Sequence, residues 1–334
     1  MPTSLRFYPA ILCSLAIFTM NSSFPPAAPA AEPANPAPAN PAPASPKYEV
    51  REDPRGPLVF RDDQLVTQYL TMSGHKPVLY PLHGPDGVPL TRAFPIADAL
   101  PGEAKDHVHH RSLWFTHGEV NEFDFWAEGE HCGKIKQTSS KATADSEQAK
   151  LETENDWLTP AGDVLLSDQR TLVFHDVEGA QVIDFDIVLT AGKEDVVFGD
   201  TKEGSFGVRV AGTMKVDAKQ GGTILTNRGA KDGAAWGQEA EWVDYSGPVD
   251  GKTYGVTIMN HPSSFGFPTR WHVRSYGLFA ANPFGVHHFV GGKRTEGVRL
   301  PAGESLSLRY RLVLHRGAAA DANLDAQWKA YAGE

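Results

Sequence analysis

The sequence has little cysteine and no long apolar run. Two cysteines, Cys13 and Cys132, occur among 334 residues. Cys13 falls in a segment that we expect to be removed, so the mature chain would keep Cys132 alone and could form no intramolecular disulfide. The apolar run over residues 7–18 is shorter than the roughly 20 residues that a membrane span needs, and no later stretch approaches that length. We therefore predict a protein without a disulfide framework and without a membrane span.

A basic surface and several catalytic motifs are also missing. The formal net charge is −10, whereas nucleic-acid binding needs a basic stripe, so we expect no nucleic-acid partner. The sequence has no Gly-x-Ser-x-Gly elbow, no phosphate-binding Gly-rich loop, no dinucleotide-binding fingerprint and no His-Glu-x-x-His motif. These absences argue against serine hydrolases of the elbow type, nucleotide-dependent enzymes and zincin peptidases.

The chain divides into three segments by composition. Residues 1–30 have the pattern of a secretory signal peptide, with Arg6 before the apolar run and small residues at its end. Residues 31–46 are rich in Pro and Ala, and we interpret them as an extended linker. Residues 47–334 show no repeat and no shift of composition, so we expect one domain. The prediction is a secreted or periplasmic protein with a cleaved signal peptide.

Short segments with alternating hydrophobicity dominate residues 47–334. Two long ones, residues 164–177 and 180–190, are joined by a turn at Glu178-Gly179. The prolines in residues 76–82 predict an edge strand, and residues 213–216 predict a further strand. Only residues 319–331 have apolar side chains at helical spacing. The predicted fold class is therefore all-β, a large single-domain β-sandwich with a short C-terminal helix.

Residues 106–131 hold the densest group of side chains that could carry chemistry. If this stretch is extended, alternation places His107, His109 and Arg111 on one face and Asp106 and His110 on the other. A core takes histidine less readily than aliphatic residues, whereas proton transfer, hydroxyl recognition and metal binding all use it. The stretch is therefore predicted to form a functional site, although a polar network that fixes a loop would also account for it.

Two chemistries fit these residues. Without a metal, histidines act as general acids or bases beside groups that bind hydroxyls. The candidate catalytic residues are His107, His109, His110, His117 and Glu128, and the candidate substrate-binding residues are Arg111, Asn121, Asp124, Trp126, His261, Arg270, His272 and Arg274. Alternatively, His107, His109 and His117 form a facial ligand set for a divalent metal such as zinc, copper or iron. The sequence identifies no cofactor with certainty.

A second basic segment runs from residue 270 to residue 274. Alternation puts Arg270, His272 and Arg274 on one face of a strand. Cationic groups are costly to bury without anionic partners, so we expect them to line solvent, pair with acids or bind an anionic ligand.

Several motifs together resemble the secreted PmoA-like family of unknown function, whose members are often labelled methane oxygenase. They are Tyr80-Pro81-Leu82, Thr91-Arg92 with Phe94-Pro95, residues 106–115, His117-Gly118, Asp124-Phe125-Trp126, and Asn260-His261-Pro262 with residues 268–274. The resemblance covers residues 50–315, and Val108 replaces a proline that is usual in the family. The methane label implies a subunit built of spanning helices, and we expect none in the mature chain. At the level of fold, the β-rich pattern is also similar to the mutarotase-like supersandwich.

The sequence thus predicts a secreted β-sandwich that binds or acts on a carbohydrate or related polyhydroxylated compound, either a small molecule or a glycan. If it is an enzyme, we expect a carbohydrate-active enzyme that uses histidine acid/base chemistry. Two alternatives stay open: a metal-dependent oxygenase or hydrolase with histidine ligands, and a noncatalytic binding module of the cell envelope. The sequence does not indicate the oligomeric state.

Overall fold

Two eight-stranded antiparallel sheets dominate the computed structural model, which describes residues 47–334. In spatial order the first sheet contains β1 (Tyr48–Arg51), β2 (Leu58–Arg61), β3 (Gln64–Ser73), β4 (Lys76–Leu82), β5 (Leu113–His117), β11 (Gly204–Arg209), β16 (Leu278–Asn282) and β15 (Arg270–Val273). The second contains β12 (Thr223–Thr226), β13 (Trp242–Val249), β14 (Lys252–Asn260), β18 (Ser305–Arg316), β9 (Ala180–Ala191), β8 (Val164–Val177), β7 (Gln148–Leu158) and β6 (Lys134–Ala144). β10 (Val196–Phe198) and β17 (Val298–Leu300) form a small third sheet.

Helices are few in the described part of the chain. They are α1 (His287–Val290), α2 (Leu324–Ala332) and four 3₁₀ turns at Pro85–Gly87, Val216–Ala218, Asp232–Ala235 and Ala319–Asp321. Within residues 47–334, no helix combines the length and the apolar composition that a membrane crossing requires. These residues all belong to the same compact unit. The predicted signal peptide and linker lie outside the described residues.

The main core lies between the two large sheets. On β9 the buried residues Ile183, Phe185, Ile187 and Leu189 alternate with less buried ones, as the sequence pattern predicts. The sheets meet through aromatic rings: Phe206 of the first sheet stacks on Tyr310 of the second at 4.7 Å between centroids. The predicted all-β sandwich with a short C-terminal helix is therefore confirmed.

A smaller apolar cluster covers the opposite face of the first sheet. On β5, Leu113 and Phe115 belong to the main core, whereas Trp114 belongs to this second cluster, because successive side chains of a strand point to opposite faces. Gly207 of β11 pairs with Trp114, and a Cβ at Gly207 would lie 2.8 Å from the indole ring. Because Gly207 has no side chain, the Trp114 indole can pack against it on this outer face of the first sheet.

Three sequence predictions need correction. β4 lies between β3 and β5 and is no edge strand, although it contains Pro77 and Pro81. Its prolines are tolerated because β4 pairs with β5 only through Val78 and Leu79, and its register with β3 shifts twice. Residues 213–216 form turns instead of a strand, and the C-terminal α-helix begins only at Leu324.

Candidate functional site

The histidine stretch is a loop with a tight turn, and the strand begins only at Leu113. The His110 N–H donates to the His107 carbonyl at 2.9 Å, and His107 adopts a φ of +42°. Residues 106–111 therefore do not meet the condition under which alternation would place their side chains on two faces. Instead of pointing to opposite faces, the rings of His107 and His110 stack in parallel, 4.7 Å apart.

A buried arginine from another part of the chain holds this loop in place. The Arg92 guanidinium donates to the carbonyl oxygens of Ala104, Asp106, His107 and His110 at 2.9–3.1 Å. Buried backbone carbonyls need hydrogen-bond partners, and in this loop no neighbouring strand provides them. Arg92 therefore substitutes for a sheet partner and fixes the path of the histidine loop.

Asp106 connects the loop to the first sheet. Its carboxylate accepts hydrogen bonds from Arg92 at 2.7 Å and from Arg209 of β11 at 2.9 Å, and its second oxygen lies 2.9 Å from His107 Nδ1. Burial alone would raise the pKa of Asp106, but Arg209, His107 and Arg92 outweigh it and lower that pKa to about 2. Asp106 is therefore ionised at neutral pH and orients the His107 ring.

His110 is held as a neutral hydrogen-bond donor. Arg209 Nη1 donates to His110 Nδ1 at 2.9 Å. Because a guanidinium can only donate, Nδ1 must accept and the proton lies on Nε2. Burial, His109 and Arg209 all lower the pKa of His110 far below its ordinary value. Its Nε2 is buried and has no hydrogen-bond partner among residues 47–334.

These groups surround an open depression of about 380 Å³ on the outer face of the first sheet, which we call the histidine pocket. It is lined by His107, His109, His110, Asp124, Trp126, Ala127, Lys202, Glu203, His272, Arg274 and Tyr276. The structure thus brings together seven of the residues that the sequence analysis proposed for the site: His107, His109, His110, Asp124, Trp126, His272 and Arg274.

Two further histidines in the pocket favour the neutral form. Burial lowers the pKa of His109 to about 4, and nearby Lys76 lowers it too. Burial also lowers the pKa of His272 to about 4, although Glu203 opposes the shift. His272 Nδ1 is buried and lacks a hydrogen-bond partner in the described part of the chain. At neutral pH both rings can therefore donate or accept hydrogen bonds without carrying charge.

Aromatic rings form one wall of the pocket. Tyr276 stacks on His107 at 5.3 Å between centroids, with the planes 6° apart. Trp126 meets His110 edge-on at 5.5 Å, and its indole Nε1 is buried without a hydrogen-bond partner in residues 47–334. The Asp124 carboxylate accepts the backbone N–H groups of Trp126 and Ala127 at 2.7 and 2.9 Å, which fixes the position of the indole.

His117 lies on the other side of the sheet, in the main core. Its Nε2 is 2.7 Å from the Gly199 carbonyl oxygen, and its ring packs edge-on against Phe284. Alternation on β5 places it opposite to Trp114, so His107, His109 and His117 do not converge. Within residues 47–334, no group of three His, Cys, Asp or Glu side chains has the geometry to hold a metal ion. The residues proposed as a metal site therefore do not fit one.

Glu128 and Arg111 form a structural ion pair beside the pocket and do not line it. Arg111 Nε and Nη2 donate to the two oxygens of Glu128 at 2.7 Å each. Buried Lys76 donates to the same carboxylate at 3.1 Å. Burial lowers the pKa of Lys76 to about 8, although Glu128 opposes this effect. Both carboxylate oxygens of Glu128 are thus occupied by cations.

The three remaining proposed residues lie elsewhere, and each has a local partner. Asn121 bonds to the Val197 N–H and the Asp195 carbonyl, His261 Nδ1 bonds to Ser263, and Arg270 pairs with Glu239 at 2.7 Å. Sequence reasoning in turn missed Lys202, Glu203 and Tyr276. Tyr276 follows Arg274 by two residues, so extending the alternation of Arg270, His272 and Arg274 by one step would have identified it. Lys202 and Glu203 precede β11 and reach the pocket only through sheet pairing, which no local pattern reveals.

Comparison with solved structures gives distant likenesses only. The galactosidase domain of an alpha-galactosidase–sucrose kinase is 11% identical, with a TM-score of 0.35 over 82% of this chain and 40% of that chain. An alpha-galactosidase from Geobacillus stearothermophilus in complex with stachyose is 14% identical, with a TM-score of 0.34 over 81% and 41%. A galactose mutarotase related enzyme from Lactobacillus acidophilus is 11% identical, with a TM-score of 0.31 over 81% and 98%. At these TM-scores the likenesses carry no argument about function, and the mutarotase-like form of the sandwich stays a prediction.

Sequence comparison gives a firmer result. Among curated proteins, no sequence matches this chain. In the structural comparison, the chain spans less than half the length of the two galactosidase structures. A family of unknown function, DUF6807, matches residues 58–329, which is most of the chain. The protein therefore belongs to the family of unknown function DUF6807.

Proposed function

We propose that this protein binds a carbohydrate or a related polyhydroxylated compound in the histidine pocket and transfers a proton to or from it. One observation carries the proposal: three buried ring nitrogens of the pocket, His110 Nε2, Trp126 Nε1 and His272 Nδ1, have no hydrogen-bond partner among residues 47–334. Leaving such a group unsatisfied costs about 1–3 kcal/mol, and native structures contain few of them. Hydroxyl groups of a bound ligand would supply the missing partners.

The aromatic wall supports a sugar ring as the bound group. Tyr276, His107 and His110 form a parallel stack, and Trp126 stands edge-on to it. Aromatic side chains such as these offer an apolar ring and a polar edge to the same ligand. A sugar ring has the matching arrangement, with C–H groups on its faces and hydroxyls around its rim. The mixture of unpartnered nitrogens and ring faces thus fits a polyhydroxylated ring better than a purely apolar ligand.

His107 is the candidate for proton transfer. The Asp106 carboxylate lies 2.9 Å from Nδ1, so Nδ1 carries a proton toward it and Nε2 is left able to accept one. Imidazole is the side chain best suited to give and take protons at ordinary pH. His110, which Arg209 keeps neutral, would instead donate a hydrogen bond to a ligand oxygen. The two stacked rings would therefore have different roles, one moving a proton and the other orienting the ligand.

The location of the protein is part of the proposal. Residues 1–30 have the pattern of a signal peptide and residues 31–46 that of a linker, which supports a secreted or periplasmic protein. The motifs that resemble those of the secreted PmoA-like family support the same location. The methane-oxygenase label of that family gains no support from a β-sandwich, because the membrane subunit behind the label is a bundle of spanning helices.

Titration of the purified protein with a panel of mono- and oligosaccharides, followed by product analysis, tests the proposal. We expect at least one sugar to bind and to be converted. His107→Gln should retain binding and lose turnover. His261→Gln is the matched control, because its ring lies outside the pocket beside Ser263 and Tyr331, and it should change neither property. Absence of all sugar binding would reject the proposal, and binding without turnover would reject proton transfer and leave a noncatalytic binding module.

A further inference from the structure

Positive charge exceeds negative charge beside the histidine pocket. Two groups of ion pairs flank it, and each has two cations for a single carboxylate: Arg92 and Arg209 with Asp106, and Lys76 and Arg111 with Glu128. The four cationic side chains are buried or nearly so, with side-chain exposures of 2%, 1%, 0% and 14%. Solvent screens buried charges poorly, so the net positive charge of each group acts on the pocket.

The acids in and near the pocket cancel only part of this excess. Glu203 pairs with its neighbour Lys202, which also lines the pocket. The Asp124 carboxylate accepts hydrogen bonds from two neutral backbone N–H groups, so it keeps its negative charge and offsets part of the excess near Lys76. Farther away, the Glu103 oxygens bind the backbone N–H groups of residues 93, 94 and 100, and its charge also acts on Arg92. With Lys202 and Arg274 included, the cationic side chains in and around the pocket still outnumber the carboxylates. None of these carboxylates forms an ion pair with the excess cations within the described part of the chain.

Arg274 is a cation of the pocket that has no carboxylate partner within 4 Å among residues 47–334. Its guanidinium lies near two aromatic rings, 5.6 Å from the Trp236 centroid and 5.8 Å from that of Tyr276. Such contacts hold a guanidinium in position and leave its N–H groups available. Arg270, four residues earlier on the same face, is in contrast paired with Glu239.

We propose that the ligand of the histidine pocket is a sugar that carries a negatively charged group, a carboxylate or a sulfate, and that Arg274 binds this group. The inference rests on the proposed function and narrows its ligand class. Arg274 supplies planar paired donors for an oxyanion, and the flanking excess of positive charge stabilises the anion at a distance. The unpartnered ring nitrogens of His110, Trp126 and His272 bind the hydroxyls of the same sugar.

Calorimetric titrations with matched ligands test the inference. Glucuronate and galacturonate provide the carboxylate, N-acetylglucosamine 6-sulfate provides the sulfate, and glucose, galactose and N-acetylglucosamine are their neutral counterparts. We expect one of the anionic sugars to bind at least about tenfold more tightly than its neutral counterpart, as for a charge-assisted contact at a partly exposed site. This preference should weaken at high salt.

Variants distinguish anion binding by Arg274 from a general effect of positive charge. Arg274→Gln should remove most of the preference for the anionic sugar over its neutral counterpart. Arg274→Lys should keep part of the preference, and Arg270→Gln, the matched control, should keep all of it. Equal binding of neutral and anionic sugars by the wild type would overturn this inference and leave the proposed function standing. Failure of every sugar to bind would overturn the proposed function and this inference together.

Discussion

Replacing Glu128 with glutamine tests whether this carboxylate supports the pocket from outside. Its two oxygens accept hydrogen bonds from Arg111 Nε and Nη2 at 2.7 Å each and from Lys76 Nζ at 3.1 Å. Lys76 is completely buried, and the side chains of Arg111 and Glu128 are only 14% and 10% exposed. Burial alone would raise the pKa of Glu128, but Arg111 and Lys76 outweigh it and lower that pKa. Glutamine keeps the shape of the side chain and removes the charge.

The expected loss of unfolding free energy depends on whether Lys76 can lose its proton. Removal of one partner from a buried ion pair usually costs about 3–5 kcal/mol. Here the pKa of Lys76 is already about 8, so in Glu128→Gln the lysine can lose its proton. At pH 7 this limits the Lys76 contribution to about 1.4 kcal/mol, the free energy of one pKa unit. Arg111 keeps Ser73 as a partner at 3.2 Å and some solvent, so its loss is about 1 kcal/mol. We expect unfolding free energy to fall by about 2–3 kcal/mol in all.

Urea unfolding at several pH values measures this loss. Above pH 8 the wild-type lysine also loses its proton, so the Lys76 part of the difference should disappear as pH rises through about 8. The Glu128 contribution should be lost as pH falls through the lowered pKa of the carboxyl group. Glu152→Gln, which breaks an exposed pair with Lys150, is the control and should not change stability measurably. An unchanged unfolding free energy in Glu128→Gln, or lost turnover with unchanged stability, would refute the reasoning.

Three further predictions concern the core, a titrating histidine and metal content. Asp168→Ala should lower the unfolding free energy by about 3–5 kcal/mol, because it leaves Arg170 charged and fully buried; equal urea midpoints for variant and wild type would contradict this. Burial alone would lower the pKa of His315, but its hydrogen bond to Asp244 outweighs burial and raises it. The resulting stabilisation is complete below the ordinary pKa of 6.5 and is lost as pH rises through the raised pKa, so the thermal midpoint of the wild type should fall over that range. His315→Asn should remove this fall. A variant that keeps the wild-type pH profile would contradict the prediction. Because no three ligands converge among residues 47–334, we expect elemental analysis of untagged protein to find no stoichiometric zinc, copper or iron; a stoichiometric metal whose removal abolishes ligand binding would contradict this.

Local periodicity was sufficient to predict the long strands. β8 and the turn at Glu178-Gly179 follow from alternation of apolar residues and from turn chemistry, both of which act within a few positions along the chain. The neighbours of a strand are set by distant residues. β4 shows the consequence, because its prolines predicted an edge position, whereas β3 and β5 enclose it with few hydrogen bonds from β5.

The sequence predicted which residues are concentrated at the candidate site but not how their side chains are arranged. The density of histidines pointed to the correct loop, but alternation failed there because Arg92 binds the loop carbonyls and replaces a neighbouring strand. Alternation was followed on β5, where the His117 side chain points into the core. Glu203 lies 96 positions after His107 in the sequence and reaches the pocket through sheet topology alone.

Indole N–H spectra offer the most direct test of a sugar in the histidine pocket. The chain has seven tryptophans, and proton–nitrogen correlation spectra can resolve an indole signal for each. Trp126 Nε1 has no partner in residues 47–334, whereas Trp157 donates to Asp168 at 2.7 Å and Trp271 to the Ala240 carbonyl at 3.0 Å. On titration with the sugar that binds best, we predict that the Trp126 indole signal shifts and those of Trp157 and Trp271 stay in place. A saturating sugar that leaves the Trp126 signal unmoved would contradict the account.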